Sequence, residues 1–213
     1  MIVEQYGLSY HRVTENDLET IRYWRNQEFI RSMMQFDQYI TPEMQIEWFK
    51  KINNNLNYYF VIVSNNRKIG LINSKNTEID TRIAEGGIFI WEETFWGTPV
   101  PVLASLTMLE AVFDVFQSGD ASVINVRKEN KKALIFNKLL GYQIYGESLD
   151  KKCWRMKLEK YQFEKIKDKL RSSAKIFSGG KEEFIIHGKP DSIQDQVIND
   201  YLLKLKSNNQ GSF

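Results

Sequence analysis

The stretch Glu85-Gly-Gly-Ile-Phe-Ile-Trp-Glu-Glu-Thr-Phe-Trp-Gly-Thr-Pro-Val-Pro-Val-Leu-Ala104 decides how the rest of the chain is read. Its first part is aromatic and β-branched, as strands are, and it runs into a tight Gly/Pro turn. The turn opens directly onto an apolar helical segment from residue 100 to about 116. A helix N-terminus carries unpaired N–H groups and the positive end of the peptide dipole, so such a junction can hold an anion, typically a phosphate. The same pattern also fits a plain strand followed by its crossover helix.

Upstream of this junction, Tyr58-Tyr-Phe-Val-Ile-Val63 and Lys68-Ile-Gly-Leu-Ile72 flank Ser64-Asn-Asn-Arg67, a hairpin signal. Residues 10–13 read as a short strand. Thr14-Glu-Asn-Asp17 then has the form of a capping box for a helix ending near residue 26. A second short helix is expected at 28–34, and Thr41-Pro42 opens a third, to about residue 52. Downstream, strands are expected at 122–126, 142–145 and 153–158, with a helix over 131–140 closed by Gly141. The sum is an α/β (α+β) architecture, a mixed and mostly antiparallel central sheet flanked by helices.

This compact domain spans residues 1–159, and the character changes in a C-terminal extension, 160–213. The extension reads as a basic helix over 161–176, a possible short strand at 183–187, and a final helix capped by Asp191 or Ser192. Ile193, Val197, Tyr201, Leu202 and Leu205 would give that last helix an apolar side. The extension can dock on its own domain or be exchanged with a second subunit, so a homodimer stays open.

Composition narrows the function. With 29 Lys and Arg against 27 Asp and Glu, the net charge of +2 gives no case for nucleic acid or an anionic membrane as partner. No apolar run approaches the roughly 18 residues needed to cross a bilayer, and the first residues lack a signal-peptide pattern, so a soluble, cytoplasmic protein is expected. The single cysteine, Cys153, excludes an intramolecular disulfide and a cysteine cluster for metal. His11 and His187 stand far apart without ligand spacing, so no metal is expected.

The chain resembles the GNAT superfamily of acetyl-coenzyme-A-dependent N-acetyltransferases, on an ordered set of stretches. These are Asp17-Leu-Glu-Thr-Ile-Arg-Tyr-Trp-Arg-Asn26, Trp48-Phe49, Lys68-Ile-Gly-Leu-Ile72, Ala84-Glu-Gly-Gly-Ile-Phe-Ile90, Phe95-Trp-Gly97, Asn130-Lys-Lys-Ala133 and Leu140-Gly-Tyr142. The branch it looks most like contains ribosomal-protein alanine acetyltransferases and acetyltransferases of nucleotide-linked amino sugars. The resemblance covers residues 8 to 159 and implies a GNAT-like fold with acetyl-CoA (coenzyme A) held between two splayed strands.

By that resemblance, backbone groups of Phe89, Ile90 and Trp91 would bond the pantetheine arm. Amides from Gly97 to Val102, with Thr98 and Val100 among them, would face the pyrophosphate, and Asn130 would contact the cofactor arm. The turn departs from the family's Gly-x-Gly-x-Gly/Ala form, because Pro99 and Pro101 supply no N–H. Losing two such donors would weaken binding roughly tenfold to thirtyfold, at about 1 kcal/mol each.

The chemistry implied is transfer of an acetyl group to a primary amine. An alkylammonium must lose a proton before it attacks, so a base is useful, and Glu85 on the strand leading to the turn is the candidate. Strand alternation puts Glu85, Gly87 and Phe89 on one face. Glu78 and Asp80 in the preceding loop are weaker candidates. The N–H of Phe89 or Ile90 is the oxyanion donor that the resemblance implies. Where many family members carry a tyrosine acid, this chain has Asn137.

Acceptor binding would fall to the early helices, where Trp24, Arg25, Asn26, Arg31 and Met34 gather aromatic, cationic and amide groups. An arginine there can answer the phosphates of a nucleotide-linked amino sugar, and Trp24 can stack on a base or sugar. The alternatives are acetylation of a protein amino terminus, and a non-catalytic GNAT-fold interaction module with an altered cofactor turn.

Overall fold

A computed structural model describes residues 1–54, 56–75 and 80–187. A nine-stranded sheet runs in the order β7-β8-β6-β5-β4-β3-β2-β1-β9. In chain order the strands are β1 (Ile2–Gln5), β2 (Leu8–Arg12), β3 (Tyr58–Ser64), β4 (Arg67–Lys75), β5 (Ile83–Ile90), β6 (Ala121–Arg127), β7 (Gln143–Glu147), β8 (Cys153–Glu159) and β9 (Ile185–His187). The helices are α1 (Leu18–Asn26), α2 (Glu28–Arg31), α3 (Pro42–Ile52), α4 (Val100–Glu110), α5 (Lys131–Leu139) and α6 (Lys160–Phe177). Every strand pair is antiparallel except β5 with β6.

Strand β3 is buried along its whole length because it lies between two cores. Tyr58, Phe60 and Ile62 point to the side that carries α4 and α6, where Leu106, Phe113 and Phe163 are packed. Tyr59, Val61 and Val63 point to the side covered by α1 to α3, against Ile21, Ile30 and Phe49. The period of two in the strand thus feeds both layers from one segment. The β3–β4 hairpin turns through Asn65 and Asn66 at φ 48° and 60°, the left-handed pair that a two-residue hairpin requires.

Local chemistry explains the helix starts. Thr41 accepts the Met44 N–H at 3.3 Å and Pro42 occupies the first turn of α3. Asp17 takes the Thr14 N–H at 2.9 Å and its hydroxyl at 2.8 Å, and Lys68 adds an ion pair at 2.7 Å. Burial pushes the Asp17 carboxyl up, but the Lys68 ammonium and the Thr14 groups outweigh it and hold the pKa below its ordinary value. The segment expected to be one helix from 100 to about 116 is α4 followed by a single π turn, Ala111–Val115, closed by Phe116 N–H on the Ala111 carbonyl.

The extension docks on its own chain as far as residue 187. Helix α6 begins with a capping box between Glu159 and Gln162, and Phe163 is fully buried against Phe113. Arg171 Nε donates to the buried Glu110 carboxylate at 2.7 Å, which also receives Gln5 Nε2 at 2.6 Å and Tyr6 OH at 3.0 Å. Burial, with the Glu110 charge added, pushes the Tyr6 phenol well above its ordinary range. Strand β9 pairs with β1, a strand the sequence reading did not contain. Glu78 and the apolar stripe from Ile193 to Leu205 lie outside the described residues. Among the described residues no helix is long and apolar enough to cross a membrane, and no cluster of His, Cys, Asp and Glu is placed to hold a metal.

Candidate active site

Strands β5 and β6 begin side by side and then part. Their parallel pairing comprises Ile83 with Ala121, Ala84 with Ser122 and Glu85 with Val123, and goes no further. Strand β5 continues to Ile90 against β4 alone, while β6 continues to Arg127 against β8 alone. A V-shaped gap therefore opens beyond Glu85, walled on one side by extended backbone.

The ladder fixes which groups face that gap. Trp91 N–H bonds the Ile69 carbonyl at 2.9 Å across an antiparallel pair. Hydrogen-bonded and open pairs alternate, so Phe89 with Leu71, Gly87 with Asn73 and Glu85 with Lys75 are the bonded pairs. Phe89 and Trp91 thus direct their N–H groups toward β4, while Ile88 and Ile90 direct theirs into the gap. The Ile90 carbonyl already accepts the Trp96 indole N–H at 2.9 Å.

At the mouth of the gap, Gly97 has φ +74° and open space where a Cβ would stand. The Thr98 N–H bonds Phe95 O at 3.2 Å, its hydroxyl donates to the same oxygen, and Val100 N–H donates to Thr98 Oγ1 at 3.3 Å. Pro99 is the N-cap of α4 and Pro101 follows in its first turn, neither with a donor. Among the described residues the amides of Gly97 and Val102 meet no acceptor. The site thus keeps two donors for an anion. An extended amide-bearing arm fits the exposed β5 edge, and a diphosphate fits the reduced turn.

Behind the gap, Asn130 caps α5 by accepting Ala133 N–H at 3.0 Å, so its carbonyl oxygen is committed to the helix. Asn137 Nδ2 donates to Ala133 O at 2.8 Å. Tyr142 OH and Ser122 Oγ are 2.7 Å apart and buried, and burial pushes the phenol up to about 12, with the serine bond opposing it.

The face of β5 that looks toward α1 to α3 is polar where the two strands part. Glu85 is paired with Lys75 at 3.0 Å, and Asn73 Nδ2 donates to Glu85 O at 3.3 Å. Gly87 is exposed between Glu85 and Phe89, and a Cβ there would come within 2.9 Å of Asn73 Oδ1. The Arg25 guanidinium lies 5.7 Å over the Phe89 ring and donates one bond, to Phe36 O at 3.3 Å. Its Nη1 is buried without a partner, and burial pushes its pKa down. Trp24 stacks on Trp91 at 6.1 Å, and Phe29 links it to Trp96 in the turn.

Other residues singled out in the sequence are occupied elsewhere. Asn26 clamps the Ile40 backbone in both directions, at 2.7 and 2.9 Å. Arg31 is paired with Glu28, and Met34 packs against the smaller core while its carbonyl accepts from Arg127. Asp80 is an exposed turn residue. Lys75 and Asn73 carry no local sequence signal of a site. A β4 register carried through to residue 75 would have placed Lys75 and Asn73 opposite the Glu85 face, but the polar loop before β5 hides that register.

Residues 8–143 match the family described as acetyltransferase (GNAT) domain. The chain belongs to this acetyltransferase family. No curated protein matches it. Among solved structures, the GNAT chain is similar to a spermidine N-acetyltransferase from Vibrio cholerae in complex with CoA and spermine. That likeness has a TM-score of 0.65 at 20% identity and covers 74% of this chain and 98% of that one. A domain from Methanocaldococcus jannaschii gives TM-score 0.63 at 19% identity, over 71% of this chain and 97% of the other. An uncharacterized protein from Bacillus halodurans gives 0.65 at 18% identity, over 78% and 91%. At these identities the likeness is one of fold. In this GNAT domain the V-shaped gap with its turn is the candidate surface for acetyl-CoA, and the Glu85 face, called here the acceptor face, is the candidate surface for an acceptor.

Proposed function

We propose that this GNAT acetyltransferase acetylates the amino group of a small molecule that also carries an anionic group, a nucleotide-linked amino sugar being the class that fits best. The observation that carries the acceptor reading is Arg25, a largely desolvated guanidinium on the acceptor face with a buried, unpartnered Nη1 and no carboxylate paired to it among the described residues. A buried charge without a partner is costly, and an incoming phosphate or carboxylate removes that cost. The branch resembled by the sequence motifs points the same way.

Acetyl-CoA would supply an activated thioester. The Ile88 and Ile90 N–H groups would steady charge developing on the acyl oxygen, and Gly97 and Val102 amides would hold the diphosphate. Glu85 would accept the proton of the acceptor ammonium. Stacking on Trp24 suits a base or sugar ring.

A polyamine, the ligand named for the Vibrio cholerae relative, needs free carboxylates. Here Glu28, Asp37 and Glu129 are each already held by an arginine. A peptide amino terminus would meet the same cationic Arg25. The test is thiol release from acetyl-CoA across a panel of amino-sugar nucleotides, spermidine and short peptides. Turnover should be greatest with the anionic amines, and Arg25→Met should raise their KM about tenfold or more, the value of one charged hydrogen bond. Preference for spermidine, or an R25M enzyme with unchanged KM, overturns the acceptor reading. Absence of acetyl-CoA binding overturns the enzyme reading and favours an interaction module.

A further inference from the structure

The amine closest to the proposed base belongs to the chain itself. Lys75 Nζ lies 3.0 Å from Glu85 Oε1. The two residues are direct partners in the β4–β5 ladder, and Glu85 is the last residue before β6 leaves β5. Their side chains are 31% and 26% exposed, so the pair is reachable rather than sealed. One step along the same face, Gly87 leaves the β5 backbone uncovered beside the gap into which Ile88 and Ile90 turn their N–H groups. Other lysines are held by carboxylates elsewhere, among them Lys68 by Asp17, Lys128 by Glu147 and Lys157 by Glu159. A lysine ε-ammonium is chemically the same kind of acceptor as an external alkylamine, and here it already occupies the carboxylate such an amine needs.

We propose that Lys75 is an internal acyl acceptor, a self-acetylation site where β5 and β6 part; the inference rests on the reading of Glu85 as the base. Lys75 gives one ammonium proton to Glu85, and the neutral Nζ attacks the thioester carbonyl carbon of acetyl-CoA. An N–C bond forms and the C–S bond breaks, its electron pair leaving on the thiolate. The nitrogen loses its second proton and the thiolate gains one, giving Nε-acetyl-Lys75 and free CoA with no oxidant or further reactant. The acetylated side chain is neutral, so it releases Glu85 to external amines.

The full chain is incubated with acetyl-CoA and no acceptor, and acetylation is mapped by peptide mass spectrometry over time, with acetyl-CoA affinity measured separately by calorimetry. Lys75 should be acetylated roughly a hundredfold faster than the exposed Lys50 and than Lys128, which is as half-buried as Lys75, the scale of a positioned base. Glu85→Gln should remove that advantage while leaving acetyl-CoA affinity unchanged, and Lys75→Arg should remove the label. Acetyl-CoA binding and turnover of an external amine with Lys75 unmodified overturn this proposal and leave the enzyme reading standing. Lys75 labelled no faster than Lys50 and Lys128, or equally fast in E85Q, marks bulk chemical acetylation and also overturns it. No binding of acetyl-CoA ends both.

Discussion

Replacing Arg171 by leucine should loosen the attachment of α6 to the body of the protein. Glu110 is 1% exposed, and its carboxylate is satisfied by Arg171 Nε at 2.7 Å, Gln5 Nε2 at 2.6 Å and Tyr6 OH at 3.0 Å. Removing the cation leaves a buried charge with two neutral donors. Breaking a buried pair costs about 3–5 kcal/mol, but the Arg171 side chain is 44% exposed and partly screened, so about 2–3 kcal/mol is expected. For a chain of this size that lowers Tm by roughly 4–12 °C. A second variant separates charge from packing. Glu110→Gln on the R171L background keeps an oxygen for Gln5 and Tyr6 yet removes the charge, and should recover about 1–2 kcal/mol. Urea unfolding followed by circular dichroism gives the energies, and hydrogen exchange reports α6 directly. An R171L protein within about 0.5 kcal/mol of the parent, or a double variant no more stable than R171L, would refute the reasoning.

Pro101→Ala restores a donor at the start of α4 and should tighten acetyl-CoA about fivefold to tenfold by calorimetry; no change would mean that the diphosphate does not lie on that turn. Asp17 has a lowered folded pKa, so the stability it contributes is present above the unfolded-chain value and is lost as pH falls through the folded value. Asp17→Asn should therefore cost about 1–2 kcal/mol at neutral pH and flatten the acid limb of a stability profile; an acid limb identical to the parent's would count against that assignment. Gly141 has φ +92° and a Cβ there would meet Ile166 Cδ1 at 2.5 Å, so Gly141→Ala should destabilise by about 2–4 kcal/mol in the same urea assay, and a loss below about 1 kcal/mol would show that α6 yields freely.

Much of the architecture could be read locally. Asn65-Asn66 between apolar runs, Thr41-Pro42 before a helical face and Gly141 after one are signals carried by a few adjacent residues, and the structure has the hairpin, helix start and helix stop there. Strand β1 escaped because Ile2-Val-Glu-Gln5 is too short to announce itself. Its partners are β2 and the distant β9. The site divides similarly. Glu85 and the prolines of the turn were visible in sequence, whereas the pairing of Glu85 with Lys75 depends on a β4–β5 register that no local pattern records. Asn26 and Asn130 looked available to ligands by residue type, yet their oxygens are held by neighbouring backbone. Whether Arg25 had an acidic partner could be learned only from packing.

The pairing of β1 with β9 sets a condition on how the protein is made. Ile2, Val3 and Glu4 have their outer neighbours at His187, Ile186 and Ile185, so one edge of the sheet stays open while more than a hundred and eighty further residues are synthesised. During that interval the nascent chain presents unpaired strand backbone to other chains. Fusion or truncation near either of these strands should therefore show itself first in the yield of soluble protein, before any change in catalysis.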